Sequence, residues 1–555
     1  MSKACKWLAA AGVFVLTLAL YLRTGEFAYL RLDDWGYTAG CPFAVSGLSL
    51  TNIAQAFSRI TYGGIWMPLT FATYMADVTF FGGGWGVHHL GNAFLHALNA
   101  SILFFALLHL ARREEGDCNA VSAVLLAALA TLFWSLHPMR VEAVAWIASR
   151  KEELWTLFTL LGLMAWSAQK KAIGFLCCVL ACLSKPTAVC FPLLAFLVEM
   201  RTRPPQRRMA FLALAKYVPL CIVCGITGLA AIASQAHPEG MATIELGSIP
   251  LAVRFVRFVS ALALHLSQTL LPCAVHFDYL ANTFDATAIA GLALCAVLFA
   301  FAMWKKRTMT FYAATFFLVA LLPVSGLFGT FGEHARADRF TYLPAMAISA
   351  LLAVALPRRK SAIAAMAVAC AACAAIAWPV VSSYRNDYTA FARTLEFEPE
   401  NWRALRHVGS EYCARLSRMD EGIALLEKSY AISPRSETLE VLAYSLACRM
   451  APNDARRIAR LCPDYSANPS LDRRGMILES LGAAALAAGE YKAAAMLLRL
   501  SIAAPERFYA DTEAKFRLAD ALKKAGDRDG FLSVVRPLAV SDEPEVRRRA
   551  LSLVQ

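Results

Sequence analysis

Apolar runs alternate with short basic clusters along the first two thirds of the chain and then stop. Runs that cross, or nearly cross, a bilayer fall at about 7–22, 88–111, 120–136, 154–168, 172–184, 187–200, 209–233, 287–304, 309–327, 341–356 and 361–380, against the roughly 20 apolar helical residues that a hydrocarbon core requires. Between them lie Arg112-Arg113, Lys170-Lys171, Arg201 through Arg208, Lys305-Lys306-Arg307 and Arg358-Arg359-Lys360. Basic loops are retained on the cytoplasmic side, so successive clusters must enclose an even number of crossings. The pattern predicts eleven spans with the N-terminus inside. Leu251 to Leu271 is apolar enough to cross but would upset that count. With Arg254 and Arg257 near one end, it reads as a helix lying at the outer surface or re-entering from it. Met1 to Leu22 has Lys3 and Lys6 ahead of its apolar run and no convincing small-residue cleavage site after it. It reads as a retained signal anchor.

From Ser382 the chain turns charged and rich in Ala, Leu and Arg, with the 34-residue period of tetratricopeptide repeats. Trp402, Leu405, Gly409, Tyr412, Ala424, Leu426 and Pro434 make one copy. Leu481, Gly482, Ala485, Gly489, Tyr491, Ala494, Leu498 and Pro505 make a clearer one. A third starts near Phe516, with Leu522 and Gly526; residues 437–465 read as a degenerate repeat, and Tyr384 to Pro399 as half a helix pair leading in. Small residues such as Gly489 and Ala494 are expected to let paired helices approach, so that the array forms a curved surface suited to peptides. The expected fold class is all-α, with a transmembrane domain over 1–381 and a repeat solenoid over 382–555. On the eleven-span count Asp33-Asp34, the His137–Lys151 loop, the Glu333–Arg339 loop and the tail share the outer face.

Composition agrees with a membrane protein: 58% of residues are hydrophobic and 17% charged, where soluble chains are roughly 45–50% apolar. Lys and Arg number 54 against 41 Asp and Glu, and most of that excess lies ahead of the tail. Topology accounts for it, and nucleic acid is not implied. Most of the sixteen cysteines lie in apolar helices, where Cys behaves as a small hydrophobe, and none is assigned to a metal. A Cys448–Cys462 disulfide is allowed if the tail faces an oxidising compartment.

Chemistry concentrates in the loops. Asp33-Asp34 follows the first apolar run and opens a polar, aromatic segment from Leu32 to Trp66. Adjacent carboxylates beside hydrocarbon are costly and mark function; the alternative is a plain membrane boundary. Their side chains diverge in either regular backbone, so one can react while the other orients a partner or caps a helix. A shared divalent ion needs an unusual turn and is not favoured. His137 to Glu153 follows the third run; if helical from Val141, it sets Glu142 on one side and Arg150 about two turns on. Arg150 and Lys151 suit a phosphate or diphosphate headgroup, or else snorkel from an interfacial helix. Arg339 sits at the mouth of a later run, ahead of Tyr342, and Lys185 in Leu-Ser-Lys-Pro lies between two short ones. His89 and His96, seven apart, share a helical face, whereas neighbouring His88 and His89 point apart. Hydrogen bonding to substrate, or packing, is favoured there over a metal.

Together the runs Asp33-Asp34, Trp66-Met67-Pro68-Leu69-Thr70, His88-His89-Leu90-Gly91-Asn92, Leu95-His96-Ala97-Leu98-Asn99, His137-Pro138 with Glu142-Ala143-Val144-Ala145 and Arg150, Lys185-Pro186, and Asp338-Arg339-Phe340-Thr341-Tyr342-Leu343-Pro344 resemble the TMTC-type family. These are transmembrane and tetratricopeptide-repeat O-mannosyltransferases and their bacterial relatives, with a GT-C membrane fold. The resemblance covers essentially the whole chain in order, although the tail is shorter than in eukaryotic members. It implies a glycosyltransferase that moves a sugar from a polyprenyl-phosphate donor, with inversion, to Ser or Thr hydroxyls of exported proteins. It implies Asp34 or Asp33 as the base, with Asp34 preferred because Trp35 beside it can stack on a sugar. Arg339, Arg150, Lys185 and Lys151 would stabilise the leaving phosphate, with His89, His137, Glu142 and Tyr342 lining the substrate. No cofactor is required on that reading. The repeats would recruit a protein or peptide acceptor, and the site and tail would face the periplasm from a bacterial inner membrane. A transferase acting on a lipid, glycan or cell-wall polymer, or a non-enzymatic membrane scaffold, are the alternatives.

Overall fold

The computed structural model describes residues 3–58, 66–115, 120–202, 214–235, 250–272, 274–280, 286–327, 336–414, 418–449, 454, 457, 474–502, 511–541 and 543–554, and among these every regular element is helical. The chain divides into two compact units, Met1–Arg393 and Thr394–Gln555, with the boundary inside the helix Asp387–Phe397.

In the first unit three helices, Lys3–Glu26, Trp85–Arg112 and Lys360–Ser383, are long and apolar enough to cross a membrane. Val121–Ser135 and Pro138–Ala145 pass the same test together, bent by 59° at His137, where Pro138 removes a backbone donor. Large apolar side chains stand outward on the first helix, Trp7, Leu8, Val15 and Leu16 among them, a surface that lipid can cover and water cannot cover cheaply. The expected pair of spans at 287–304 and 309–327 is instead one unbroken helix, Ala286–Leu321. Lys305-Lys306-Arg307 does not interrupt it, because Lys and Arg are good helix formers and no Gly or Pro lies between the two runs. The segment read as lying at the outer surface forms the helix Leu251–Leu270. Its Phe258, Leu262 and Leu266 pack on Phe317, Leu321 and Ala347.

Trp85–Glu115 organises the unit. His89, Asn92, His96 and Asn99 recur three or four residues apart, the spacing of one helical face, and these four and His88 are buried. Asn92 donates to the carbonyls of Trp146 and Ile147 at 3.1 and 3.3 Å, and Asn99 to the carbonyl of Glu153 at 3.0 Å. His96 Nε2 meets the Ser135 carbonyl at 2.9 Å while its Nδ1 lies 2.7 Å from the Tyr342 hydroxyl, so Nε2 donates and Nδ1 accepts.

These bonds explain a second departure from expectation. The segment from Val141 is not one helix: it forms Val141–Ala145, a short turn Ile147–Ser149 and then Arg150–Ser167. Trp146 between them is extended (φ −92°, ψ 119°). A break frees backbone groups that need partners in a buried setting. Asn92 takes two of those carbonyls, Tyr74 Oη donates to the Ile147 carbonyl at 2.7 Å, and the Ala148 N–H goes to a carboxylate described below.

The second unit is a run of helices: Trp402–Ala414, Met419–Ile432, Ser436–Arg449, Arg474–Ala487, Tyr491–Ile502, Asp511–Ala525, Arg528–Ala539 and Pro544–Val554. One core gathers Ile423, Leu426, Leu442, Leu446 and Ala484; another gathers Leu498, Phe516, Leu522, Val535 and Ala550. Close helix approaches fall at Gly409 and Gly422, which face each other, and at Gly482, where a Cβ would lie 2.6 Å from Leu498 Cγ, whereas Gly489 turns the chain with φ +81°. Cys462, and with it the expected Cys448–Cys462 pair, lies outside the described residues, as do Glu333, His334 and Pro505.

Candidate functional site

Four segments far apart in sequence meet in the first unit: Asp33 to Tyr37, Glu142 to Glu153, Lys185, and Asp338 to Tyr342. Asp33 precedes the short helix Asp34–Tyr37 and makes no capping bond to it. It is half-buried, and its charge acts on both Lys151 and Arg339. Lys151 opens the helix Arg150–Ser167, with Nζ 3.1 Å from the Tyr37 hydroxyl and 4.6 Å above its ring. Lys185 sits extended between the helix Lys171–Ser184 and the turn Pro186–Cys190, ion-paired with Glu152. Glu152 also accepts from Trp155 Nε1 at 3.0 Å. Arg339, in the turn Asp338–Thr341, pairs through its guanidinium with Glu142, which also accepts the Arg339 N–H at 2.8 Å. The same guanidinium lies 5.0 Å from the Trp146 and Phe340 ring centres. Lys151, Lys185 and Arg339 interact through their charges, so three cations share one region with Asp33, Glu142 and Glu152.

Among the described residues, Lys185 and Arg339 each have a carboxylate at ion-pair distance and Lys151 has none. Its contact is the neutral Tyr37, and burial pushes its ammonium down to about 8.

Asp34 is different in kind from Asp33. It is fully buried, and its two oxygens accept the Leu30 N–H at 2.8 Å and the Ala148 N–H at 2.7 Å. Those bonds tie the first loop to the break after Trp146. Burial pushes its carboxyl up to about 8, against the two N–H donors that favour the anion. A general base must reach the proton it takes and be deprotonated beforehand; Asp34 satisfies neither condition. Of the two carboxylates the structure thus buries Asp34 and leaves Asp33 half-buried. Trp35, proposed as a sugar platform, is 43% exposed and packs against Gly40.

Arg150 makes its contacts in the interior. Nε donates to Asn92 Oδ1 at 2.7 Å, Nη2 to the His88 carbonyl at 2.7 Å, and Nη1 meets Asp77 at 2.6 Å, with the Tyr74 ring 4.5 Å away. Asp77 additionally holds His88 Nδ1 at 2.8 Å. The guanidinium is buried, and each of its three nitrogens has a partner in the interior. Gly91 makes room for it: a Cβ there would lie 2.7 Å from Nη2.

His89, His137 and Tyr342 are likewise interior. His89 Nε2 faces the Ala28 carbonyl at 3.3 Å. His137 accepts the Met139 N–H and turns Nε2 to the Thr269 carbonyl at 3.2 Å. Tyr342 bonds His96 and accepts from Asn99 at 3.3 Å, while its carbonyl accepts from Trp134 at 3.0 Å. Each orients the loops and is placed to act through them. Glu142 belongs to the cluster as the holder of Arg339.

Sequence reasoning passed over Tyr37, Glu152, Asp77 and Arg140. Arg140 is buried and donates to Thr341 Oγ1 at 2.6 Å, joining the 137 loop to the 338 turn. Buried Asp338 beside it accepts from the Tyr279 hydroxyl at 2.8 Å, and burial pushes its carboxyl up to about 7. Asp77 had a legible signal, as a lone carboxylate in the apolar helix Pro68–Phe81.

Comparison of the sequence with protein families and with curated proteins, and of the fold with solved structures, yields no match.

Proposed function

We propose that the chain is a membrane glycosyltransferase of the GT-C type. It moves a sugar from a polyprenyl-phosphate donor to Ser or Thr hydroxyls of exported proteins, with a tetratricopeptide-repeat solenoid recruiting the acceptor. The observation that carries this reading is the meeting of Lys151, Lys185 and Arg339, with half-buried Asp33 acting on Lys151 and Arg339. Assembling charged groups from distant segments in a half-buried place is costly even where they pair, and a site that handles a charged substrate gives a reason for it.

Asp33 accepts the proton of the acceptor hydroxyl as its oxygen attacks the anomeric carbon from the face opposite the phosphate, so the product has inverted configuration. The bond from the anomeric carbon to the phosphate oxygen breaks, and its electron pair leaves on the phosphate. That group is a stable anion, so the step needs neither a general acid nor a cofactor. Lys151 meets the developing charge first, being the cation without a carboxylate partner; Lys185 and Arg339 add to it from fixed positions. Glu142 and Glu152 hold those two side chains and keep the cluster near neutrality between turnovers. Asp34, Asn92 and Arg150 position the loop that carries Lys151.

The GT-C assignment, the solenoid, the polytopic topology and the periplasmic face of a bacterial inner membrane all rest on the sequence resemblance, the repeat period and the basic clusters. The test is intact-mass analysis of envelope proteins from cells with the wild type, Asp33→Asn, or no copy. A hexose-type mass on Ser or Thr, lost from both latter strains, is expected. No mass difference on protein, with one on lipid or polysaccharide, would move the acceptor to those fractions. No difference in any fraction would leave the scaffold reading.

A further inference from the structure

Away from the charged cluster, three sulfurs converge between two helices. Cys178 and Cys182 lie one turn apart on Lys171–Ser184, hence on one face, and Cys224 comes from the facing helix Val218–Gln235. Cys224 Sγ is 3.8 Å from Cys178 Sγ and 3.7 Å from Cys182 Sγ, and all three sulfurs lie within 4.8 Å of one another. All three are buried, Cys178 completely. We propose that Cys178, Cys182 and Cys224 form a thiolate site for a soft monovalent cation, Cu(I), that clamps these two helices together.

Spacing is the first argument. With metal–sulfur bonds of about 2.3 Å, sulfurs around one ion lie about 3.8 Å apart at tetrahedral angles and about 4.0 Å apart in a trigonal plane. Two of the three separations already have that length, so binding requires almost no rearrangement. Ligand chemistry is the second. Thiolates select soft ions over Mg, Ca or Mn, and among the described residues no His, Asp or Glu joins the three sulfurs. Structural zinc asks for four ligands, whereas three sulfurs satisfy Cu(I). Cation charge is the third argument. A monovalent ion held by two thiolates and one thiol leaves a single net negative charge to bury, and binding releases only two protons. The site also adjoins the transferase cluster in sequence: Lys185 follows Cys182 by three residues, and the Ala188 carbonyl lies 3.7 Å from Cys224 Sγ. An ion here would fix the turn Pro186–Cys190 that begins beside Lys185.

Cys221 supplies an internal control. It is spaced from Cys224 as C-x-x-C but faces outward on the same helix, so it stands outside the proposed ligand set.

The test loads the full-length protein, purified in detergent with its thiols reduced, with Cu(I). It is then challenged with a chromogenic Cu(I) chelator, and copper per chain is counted by elemental mass spectrometry. One copper per chain is expected to survive in the wild type and in Cys221→Ser. Retention should fall by about tenfold or more in Cys178→Ala and Cys224→Ala, with melting of the copper-free proteins unchanged. The copper X-ray absorption spectrum of the loaded wild type, which needs no variant, should show a shell of sulfur alone at about 2.3 Å. Retention of Zn(II) but not Cu(I) overturns the choice of ion. Loss of copper from the wild type overturns the site, leaving three packed hydrophobes. A disulfide from Cys224 to Cys178 or Cys182 in protein purified without reductant, together with no copper uptake after reduction, overturns it in favour of a redox pair.

Discussion

Replacing Asp34 by asparagine is expected to weaken the fold and to change how stability depends on pH, and to lower melting more than replacing Asp33 does. Asp34 accepts the Leu30 and Ala148 N–H groups in a fully buried setting. An asparagine keeps one oxygen for one of them and turns its NH2 toward the other, which leaves a buried donor unpaired at a cost of about 1–3 kcal/mol. Alanine would strand both, at about twice that. The pH term has a definite sign. The folded carboxyl is pushed up to about 8 from an ordinary 3.8. Between those values the folded state holds a proton that the unfolded chain has released, so stability falls as pH rises through that window. The slope approaches about 1.4 kcal/mol per pH unit and flattens above pH 8, where both states are ionised. Asparagine removes the slope. Thermal unfolding of the purified protein in detergent, followed by tryptophan fluorescence between pH 5 and 9, reads both effects. The reasoning is refuted if Asp34→Asn keeps the wild-type pH slope, or if Asp33→Asn melts lower than Asp34→Asn.

Other outcomes follow from the same contacts. Arg150→Met leaves Asp77 with His88 alone and takes the donors from Asn92 Oδ1 and the His88 carbonyl, and should cost about 1–3 kcal/mol, seen as poor accumulation and early melting; Asp77→Asn in the same chain should recover part of it. Gly91→Ala pushes a methyl into the Arg150 guanidinium and should cost about 1–3 kcal/mol on the same melting assay, without touching the charged cluster. Lys151→Gln should leave melting intact and reduce the transfer rate by about 100-fold, a larger loss than Lys185→Gln, because Lys185 is already neutralised by Glu152.

What could be read from the sequence, and what could not, divides along contact range. The helical class and the polar stripe on Trp85–Glu115 follow from local periodicity, which neighbouring residues set. The break at Trp146 does not, because its freed Ala148 N–H is held by Asp34, 114 positions earlier. Ala286–Leu321 shows the same limit in reverse: a basic cluster marks a topological boundary in the sequence but offers a helix no reason to stop. In the site, Lys151, Lys185, Arg339 and Asp33 are residue types whose charge near hydrocarbon is its own signal. Arg150 carries an identical signal, yet it is spent on Asp77 and Asn92, and only the fold separates a cation that is consumed from one that is available. The cysteine triad escaped for a related reason. The spacing Cys221 to Cys224 joins residues that face apart, whereas the sulfur that meets Cys178 and Cys182 comes from another helix.

The central claim is that Asp33 is the base of a transferase whose donor is anchored by a phosphate. It is tested most directly by transfer of a labelled sugar from a polyprenyl-phosphate donor to a Ser/Thr peptide. The assay uses proteoliposomes holding the wild type, Asp33→Asn or Asp34→Asn, each normalised to folded protein. Transfer by the wild type, a loss of about 100-fold or more in Asp33→Asn, and substantial activity per folded molecule in Asp34→Asn are expected. Equal transfer by wild type and Asp33→Asn, or loss confined to Asp34→Asn, would contradict it.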